Sequence, residues 1–140
     1  MLGNFPITPS LPVTDLNRAR RFYEDKLGLK PEWSHADMPF PDVMYRCGGG
    51  TMLYIYQRST PTKADHTTCA WKVDDIEKEM RELRAKGIMF EEYDMPGLKT
   101  TNGIATWGKD KSAWFKDPDG NILSLAQMAE VPAGTGVRNW

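Results

Sequence analysis

Residues 114–127 read WFKDPDGNILSLAQ, in which turn-forming residues separate two apolar segments. The tetrapeptide 117–120 is typical of a tight turn, because proline presets the second position, aspartate tolerates the third and glycine closes the turn without a Cβ. The stretch therefore predicts a β-hairpin whose second strand is 122–127. Alternation along that strand places Ser124 at its middle, on the same face as its apolar second neighbours.

The composition is typical of a globular protein, with 40% hydrophobic and 26% charged residues. A chain of 140 residues can bury a core but is short for two independent domains. The net charge of −1 and the lack of a basic run exclude nucleic acid as the expected partner. No apolar run has the length of a membrane span, and the first residues lack a signal-peptide pattern.

Two cysteines, Cys47 and Cys69, match neither a disulfide framework nor a zinc motif. Reduced thiols and a cytoplasmic location are therefore predicted.

The first half of the chain is predicted to follow the order β-α-β-β-β. A strand at 7–13 leads into a helix that Thr14 and Asp15 can cap and that Gly28 ends. Three further strands are predicted near 30–34, 42–47 and 51–57.

The second half starts again after a linker at 61–65. A strand at 67–73 precedes a helix with a capping box formed by Asp74 and Glu77, and Gly87 ends this helix. After it we expect a strand at 88–93, then a long loop from 94 to about 108, either a lid or plain surface, and finally the closing hairpin.

The chain also matches itself. Thr8 falls on Thr68 and Val13 on Val73 at an offset of 60 residues. Residues 50–54 match residues 120–124 at an offset of 70. Matches in this order indicate two copies of one unit.

The predicted fold class is α+β, with two tandem βαβββ modules that form a curved mixed sheet around a central cleft. The modules span about 5–60 and 66–129 of a single domain, 1–129, and 130–140 is a C-terminal tail. Trp140 or Val137 is expected to dock on the body or on a second subunit, since an ordered tail usually packs on something. A sheet with a helix on one face only leaves the other face to be covered by a partner sheet or to bind something, and the cleft between the modules is the expected site.

Four segments carry a resemblance to a known family. They are Val13-x-Asp15-Leu16, the run 19–29, the restart at 73–76, and the hairpin segment 115–122. With these motifs the chain resembles the vicinal oxygen chelate superfamily, which includes glyoxalase I, fosfomycin-resistance transferases, extradiol dioxygenases and bleomycin-resistance proteins. The resemblance implies a small-molecule ligand and a homodimer.

Metal-dependent members of that superfamily hold a divalent ion with His or Gln and Glu side chains on the first and last strands of each module. The resemblance places these positions at Thr8, Tyr54, Thr68 and Ser124. Transition metals prefer imidazole, thiolate or carboxylate ligands, so no metal and no other cofactor is predicted here.

Hydroxyls and aromatic rings remain as candidate binding groups. Tyr54 and Tyr56 share a strand face and suit a flat, apolar or cationic molecule, or alternatively they fill the space of a lost metal site. Trp107 is either a ring that closes the pocket or a hydrophobic anchor. His35 and His66 could reach the pocket, although an isolated histidine is more often an ordinary surface or core residue.

The functional prediction is a metal-free binder of a small, partly aromatic or apolar molecule in the cleft. Its pocket residues are Thr8, His35, Tyr54, Tyr56, His66, Thr68, Trp107 and Ser124. Two alternatives stay open. One is a metal-dependent lyase or dioxygenase with a non-standard ligand set around His35 or His66, and the other is a structural or dimerisation module whose cleft is filled. Whether the chain is an enzyme is left undecided.

Overall fold

The computed structural model describes residues 1–129, and the predictions for the tail at 130–140 lie outside them. The strands form two sheets, and one helix packs on each sheet. The chain divides into two compact units. The first unit contains residues 1–68 and 117–121, and the second contains 69–116 and the described residues from 122 onward. The predicted α+β class and the tandem modular order are confirmed.

The first unit has the predicted order β-α-β-β-β. Its helix begins as α1 and continues as one π-helical segment, and its sheet has the strand order β1-β4-β3-β2. Strand β1 is parallel to β4, whereas the other neighbours are antiparallel. The elements are β1 (Ser10–Val13), α1 (Leu16–Arg20), the π-helix (Arg21–Lys26), β2 (Lys30–His35), β3 (Asp42–Arg46) and β4 (Met52–Gln57).

Alternation along the strands of this sheet separates a buried face from an open one. Val43, Leu53 and Ile55 are at most 3% exposed, and their in-between neighbours are less buried. The helix covers the buried face with its predicted apolar residues, including Phe22 and Tyr23. The opposite face of the first sheet therefore presents every second side chain for other contacts.

The second unit repeats this plan with a longer sheet. Its strand order is β5-β10-β9-β8-β7-β6, and its helix packs on β9 and β10. The elements are β5 (Thr67–Lys72), α2 (Ile76–Ala85), β6 (Asp94–Met95), β7 (Leu98–Thr101), β8 (Ile104–Trp107), β9 (Asp110–Lys116) and β10 (Ile122–Gln127). The closing hairpin is confirmed as β9 and β10, with Ser124 opposite Trp114.

Between α2 and β9 the predictions are wrong in two places. Residues 88–93 form no strand, although the Glu91 amide donates to the carbonyl of Trp114 at 2.8 Å. Residues 94–108, predicted as a loop, contain β6, β7 and β8 with tight turns between them. Short paired strands satisfy backbone groups that an irregular loop of this length would leave to solvent.

The two helices begin in the same way. Asp15 and Asp75 are the N-caps, and each side chain accepts from the amide three residues later. The prediction that Asp74 caps α2 is therefore wrong, because the cap is the next residue, Asp75. The first helical amide of each unit donates to a glutamine from the last strand of its own sheet, Leu16 to Gln57 and Ile76 to Gln127, both at 2.9 Å. This equivalence adds a structural match to the internal repeat.

We expect Gln57→Ala to lower the free energy of unfolding by about 1 kcal/mol, because the Leu16 amide loses its acceptor at the helix N-terminus. Urea denaturation measures the change. Gln57→Glu is the matched control, since it keeps an accepting oxygen and adds a charge that the helix dipole favours. Equal losses in both variants would contradict a capping role for Gln57.

The turn of the closing hairpin belongs to the first unit and is bonded to it at several points. Asp117 is 5% exposed and accepts four hydrogen bonds: from the Tyr23 hydroxyl at 2.7 Å, from the Asn121 side chain at 2.7 Å, and from the amides of Asp119 and Asn121 at 2.9 Å. The Asn121 side chain also donates to the carbonyl of Pro12 at 2.9 Å. Burial raises the pKa of Asp117, although these bonds oppose the shift.

Candidate functional site

The open face of the first sheet carries two rows of side chains that run across three strands. One row consists of Trp33, Met44 and Tyr54, and the other of His35, Asp42 and Tyr56, as the strand registers require. Directly opposed residues in antiparallel strands lie on the same face, so these six side chains form one patch. We call this patch the aromatic face.

Four rings follow one another across the aromatic face. Trp33 lies 5.0 Å from His35 and 6.2 Å from Tyr54, measured between ring centroids. Tyr54 and Tyr56 are stacked, with centroids 5.9 Å apart and planes inclined by 20°. Rings at these separations form a broad apolar surface with polar atoms at its edges. Such a surface can hold a flat molecule by stacking.

Asp42 is the middle member of the second row, and its contact with Tyr54 joins the two rows. Its Oδ1 is 2.9 Å from Nδ1 of His35, and its Oδ2 accepts from the Tyr54 hydroxyl at 2.7 Å. The Asp42 side chain is 14% exposed and that of His35 is 53% exposed. The hydrogen bond to Asp42, together with burial, raises the pKa of Tyr54 to about 12. Tyr54 is thus held as a neutral phenol that donates to a carboxylate.

The structure brings together three of the eight predicted pocket residues, namely His35, Tyr54 and Tyr56. Thr8 precedes β1, which begins only at Ser10. His66 precedes β5, is exposed, and has its Nδ1 3.0 Å from the carbonyl of Thr67.

The remaining predicted residues, Thr68, Trp107 and Ser124, belong to strands of the second sheet. Ser124 is 6% exposed and lies opposite Trp114 in the β9–β10 register. Trp107 is 47% exposed and meets Trp114 edge to face, with centroids 6.3 Å apart. Tyr93 contacts the same ring at 5.6 Å. A second aromatic cluster therefore lies within the second unit.

The side chains at the four positions that the sequence resemblance implies for the metal ligands do not fit a divalent transition metal. Three of them are aliphatic hydroxyls, and the fourth, Tyr54, is kept protonated by its bond to Asp42. A phenol binds a metal as phenolate, and the raised pKa opposes that form. Among residues 1–129 no group of three or more His, Cys, Asp or Glu side chains is arranged to hold a metal ion.

Sequence reasoning missed three members of the aromatic face, Trp33, Met44 and Asp42. Trp33 could have been found, because it is two residues from His35 and period-2 alternation puts both on one face. The meeting of Asp42 with both His35 and Tyr54 depends on the registers of two strand pairs. No local pattern in the sequence gives those registers.

Comparison with known proteins identifies the family. Residues 7–125 match the model of the Glyoxalase/Bleomycin resistance protein/Dioxygenase superfamily. The chain belongs to this superfamily. The match covers both units, which agrees with the resemblance seen in the sequence motifs. No curated protein matches the chain.

Three solved structures illustrate the shared fold of the superfamily. SMU.1112c is 22% identical with a TM-score of 0.68, covering 86% of this chain and 96% of its own. TnmS3, an antibiotic binding protein from Streptomyces sp. CB03234, is 22% identical with a TM-score of 0.64 and covers 92% and 99%. The fosfomycin resistance protein FosX from Listeria monocytogenes, solved with Mn(II) and sulfate, is 14% identical with a TM-score of 0.66 and covers 92% and 95%.

None of the helices within residues 1–129 has the length and apolar character needed to cross a membrane.

Proposed function

We propose that this member of the superfamily binds a small, flat, partly aromatic or apolar molecule without the help of a metal ion. The observation that carries the proposal is the aromatic face, where the rings of His35, Trp33, Tyr54 and Tyr56 follow one another at centroid distances of 5.0 to 6.2 Å. Stacking on such rings contributes about 1 kcal/mol per aromatic contact.

Two further observations support binding without a metal. The hydroxyl groups at the family's metal positions are poor ligands for transition metals. One protein of the same fold, TnmS3, is described as an antibiotic binding protein. Binding alone needs only a complementary surface and does not need a reactive centre.

Other predicted pocket groups remain part of the proposal. Thr8, Thr68 and Ser124 would supply hydrogen bonds, and the ring of Trp107 would add an apolar contact; His66 is the least supported, since it is exposed beside Thr67. The predictions of a homodimer and of a cytoplasmic location rest on the family resemblance and on the two thiols.

We expect Trp33→Ala to weaken the binding of a flat aromatic probe such as para-nitroanisole about tenfold, because the ring that contacts both His35 and Tyr54 is lost. Isothermal titration calorimetry measures the affinity. Phe5→Ala is the matched control, since Phe5 is an exposed aromatic residue that precedes the first strand. An unchanged affinity in Trp33→Ala would contradict the proposed surface.

The same titration tests the role of metals. We expect the affinity to be unchanged by a chelator and by added Mn(II), because the proposed contacts are ring stacking and hydrogen bonds, and neither needs a metal ion. A probe affinity that is abolished by the chelator and restored by Mn(II) would favour the metal-dependent alternative instead.

A further inference from the structure

The starting observation is that both carboxylate oxygens of Asp42 are engaged. Tyr54 donates its hydroxyl to Oδ2 at 2.7 Å, and Oδ1 lies 2.9 Å from Nδ1 of His35. An ionised carboxylate can only accept hydrogen bonds, so Nδ1 of His35 must be the donor in its contact. The raised pKa of Tyr54 means that its hydroxyl keeps its proton and continues to donate.

This arrangement fixes the tautomer of a neutral His35 ring. When Nδ1 carries the proton, Nε2 has a free lone pair and is a hydrogen-bond acceptor. Nε2 lies on the far side of the ring from Nδ1, so it points away from Asp42. The His35 side chain is 53% exposed and its ring is next to Trp33. The acceptor is therefore accessible at the edge of the aromatic face.

Two other polar pairs on these strands are already engaged. The Tyr54 hydroxyl donates its hydrogen to Asp42. At the opposite end of β2 and β3, Arg46 donates two hydrogen bonds to Glu32, both at 2.9 Å. Nε2 of His35 is a more accessible acceptor than Asp42, because the His35 side chain is 53% exposed, whereas that of Asp42 is 14% exposed and already contacts two groups.

We propose that Nε2 of His35 accepts a hydrogen bond from an aromatic ligand that carries a hydroxyl or N–H group on its ring edge, with a phenol as the simplest case. The ligand ring stacks on Trp33 and Tyr54 while its donor group reaches His35. This inference rests on the proposed function, to which it adds the chemical class of the ligand.

A matched pair of probes tests the inference on the full chain. Para-nitroaniline carries N–H donors on its ring edge, and para-nitroanisole has the same nitro-substituted ring with a methoxy group that cannot donate. By calorimetry at about pH 8, where the amine is neutral and the solution lies above the ordinary pKa of an imidazole, we expect wild type to bind para-nitroaniline about fivefold more tightly, which is the effect of one net hydrogen bond.

Two variants assign this preference to His35. His35→Phe keeps a ring beside Trp33 but lacks the acceptor, so the ratio of the two probe affinities should fall to about one. Asp42→Asn can donate to Nδ1 and so favours the other tautomer, in which Nε2 is a donor. It should also abolish the preference. Phe5→Ala, at an exposed aromatic residue outside the aromatic face, is the control and should change neither affinity.

The outcomes separate the two proposals. Equal binding of both probes to wild type, or a preference that survives in His35→Phe, overturns the role of His35 and leaves the stacking function standing. Failure of both probes to bind overturns the stacking function and this inference with it.

Discussion

Asp117→Ala should lower the free energy of unfolding by about 4 kcal/mol, because it leaves four hydrogen-bond donors without their acceptor in a buried turn. Asp117 is 5% exposed and Asn121 is fully buried, so water cannot replace the lost oxygens without opening the turn. Urea denaturation followed by circular dichroism measures the effect.

Two further variants bracket this prediction. Tyr23→Phe removes one of the four bonds to Asp117, and we expect a loss of about 1 kcal/mol. Asp37→Ala changes an exposed aspartate in the segment after β2 and should have an effect of no more than about 0.5 kcal/mol. A loss in Asp117→Ala as small as that in Asp37→Ala would show that the turn is not held by this carboxylate.

Gly103→Ala should lower the free energy of unfolding by about 2 to 3 kcal/mol, because two unfavourable effects add. The φ angle of Gly103 is +80°, a left-handed conformation that costs a residue with a side chain about 1 kcal/mol. A Cβ at this position would also lie 3.0 Å from Cε of Met80 and 3.0 Å from Cβ of Phe90, so the packing beneath α2 must shift.

Gly97→Ala is the control that separates these two terms. Its φ angle is +81°, nearly the same, but a Cβ there would meet no atom within 4 Å. We therefore expect Gly97→Ala to lower the free energy of unfolding by about 1 kcal/mol in the same urea experiment, since only the backbone conformation is unfavourable there. Equal costs at the two glycines would contradict the packing argument at Gly103.

Gly103 also shows why the sequence predicted the second unit less well than the first. Asn102 has a φ angle of 52° and Gly103 one of 80°, which are the angles of a two-residue hairpin turn. Asn-Gly is a strong hairpin signal, but it lies between strands of only four residues, β7 and β8. Such strands carry too few residues for alternation to be recognised, so the sequence pattern predicts a loop there.

The parts of the fold that were predicted depend on local chemistry. The turn at 117–120, the aspartate caps and the terminal glycines Gly28 and Gly87 all follow from which residues tolerate a given backbone conformation. The observed positive φ angles at both terminal glycines agree with that reasoning.

The candidate site was predicted only in part, because its central contacts depend on strand register. Alternation along β4 correctly put Tyr54 and Tyr56 on one face. The position of Asp42 between Tyr54 and His35 arises from two registers, β2 with β3 and β3 with β4. If either pairing were shifted by one residue, Asp42 would no longer lie on the same face as both His35 and Tyr54. The sequence alone does not specify the register of either pairing.

The buried bonds of Asp117 have a consequence for the order of events during synthesis. Residues 1–68 emerge from the ribosome first, yet the first unit also needs residues 117–121. Until those residues are made, the Tyr23 hydroxyl and the Pro12 carbonyl lack the partners that Asp117 and Asn121 provide. The first unit therefore cannot complete its hydrogen bonds until residues 117–121 have been synthesised, and its last folding step has to wait for the intervening residues 69–116 of the second unit.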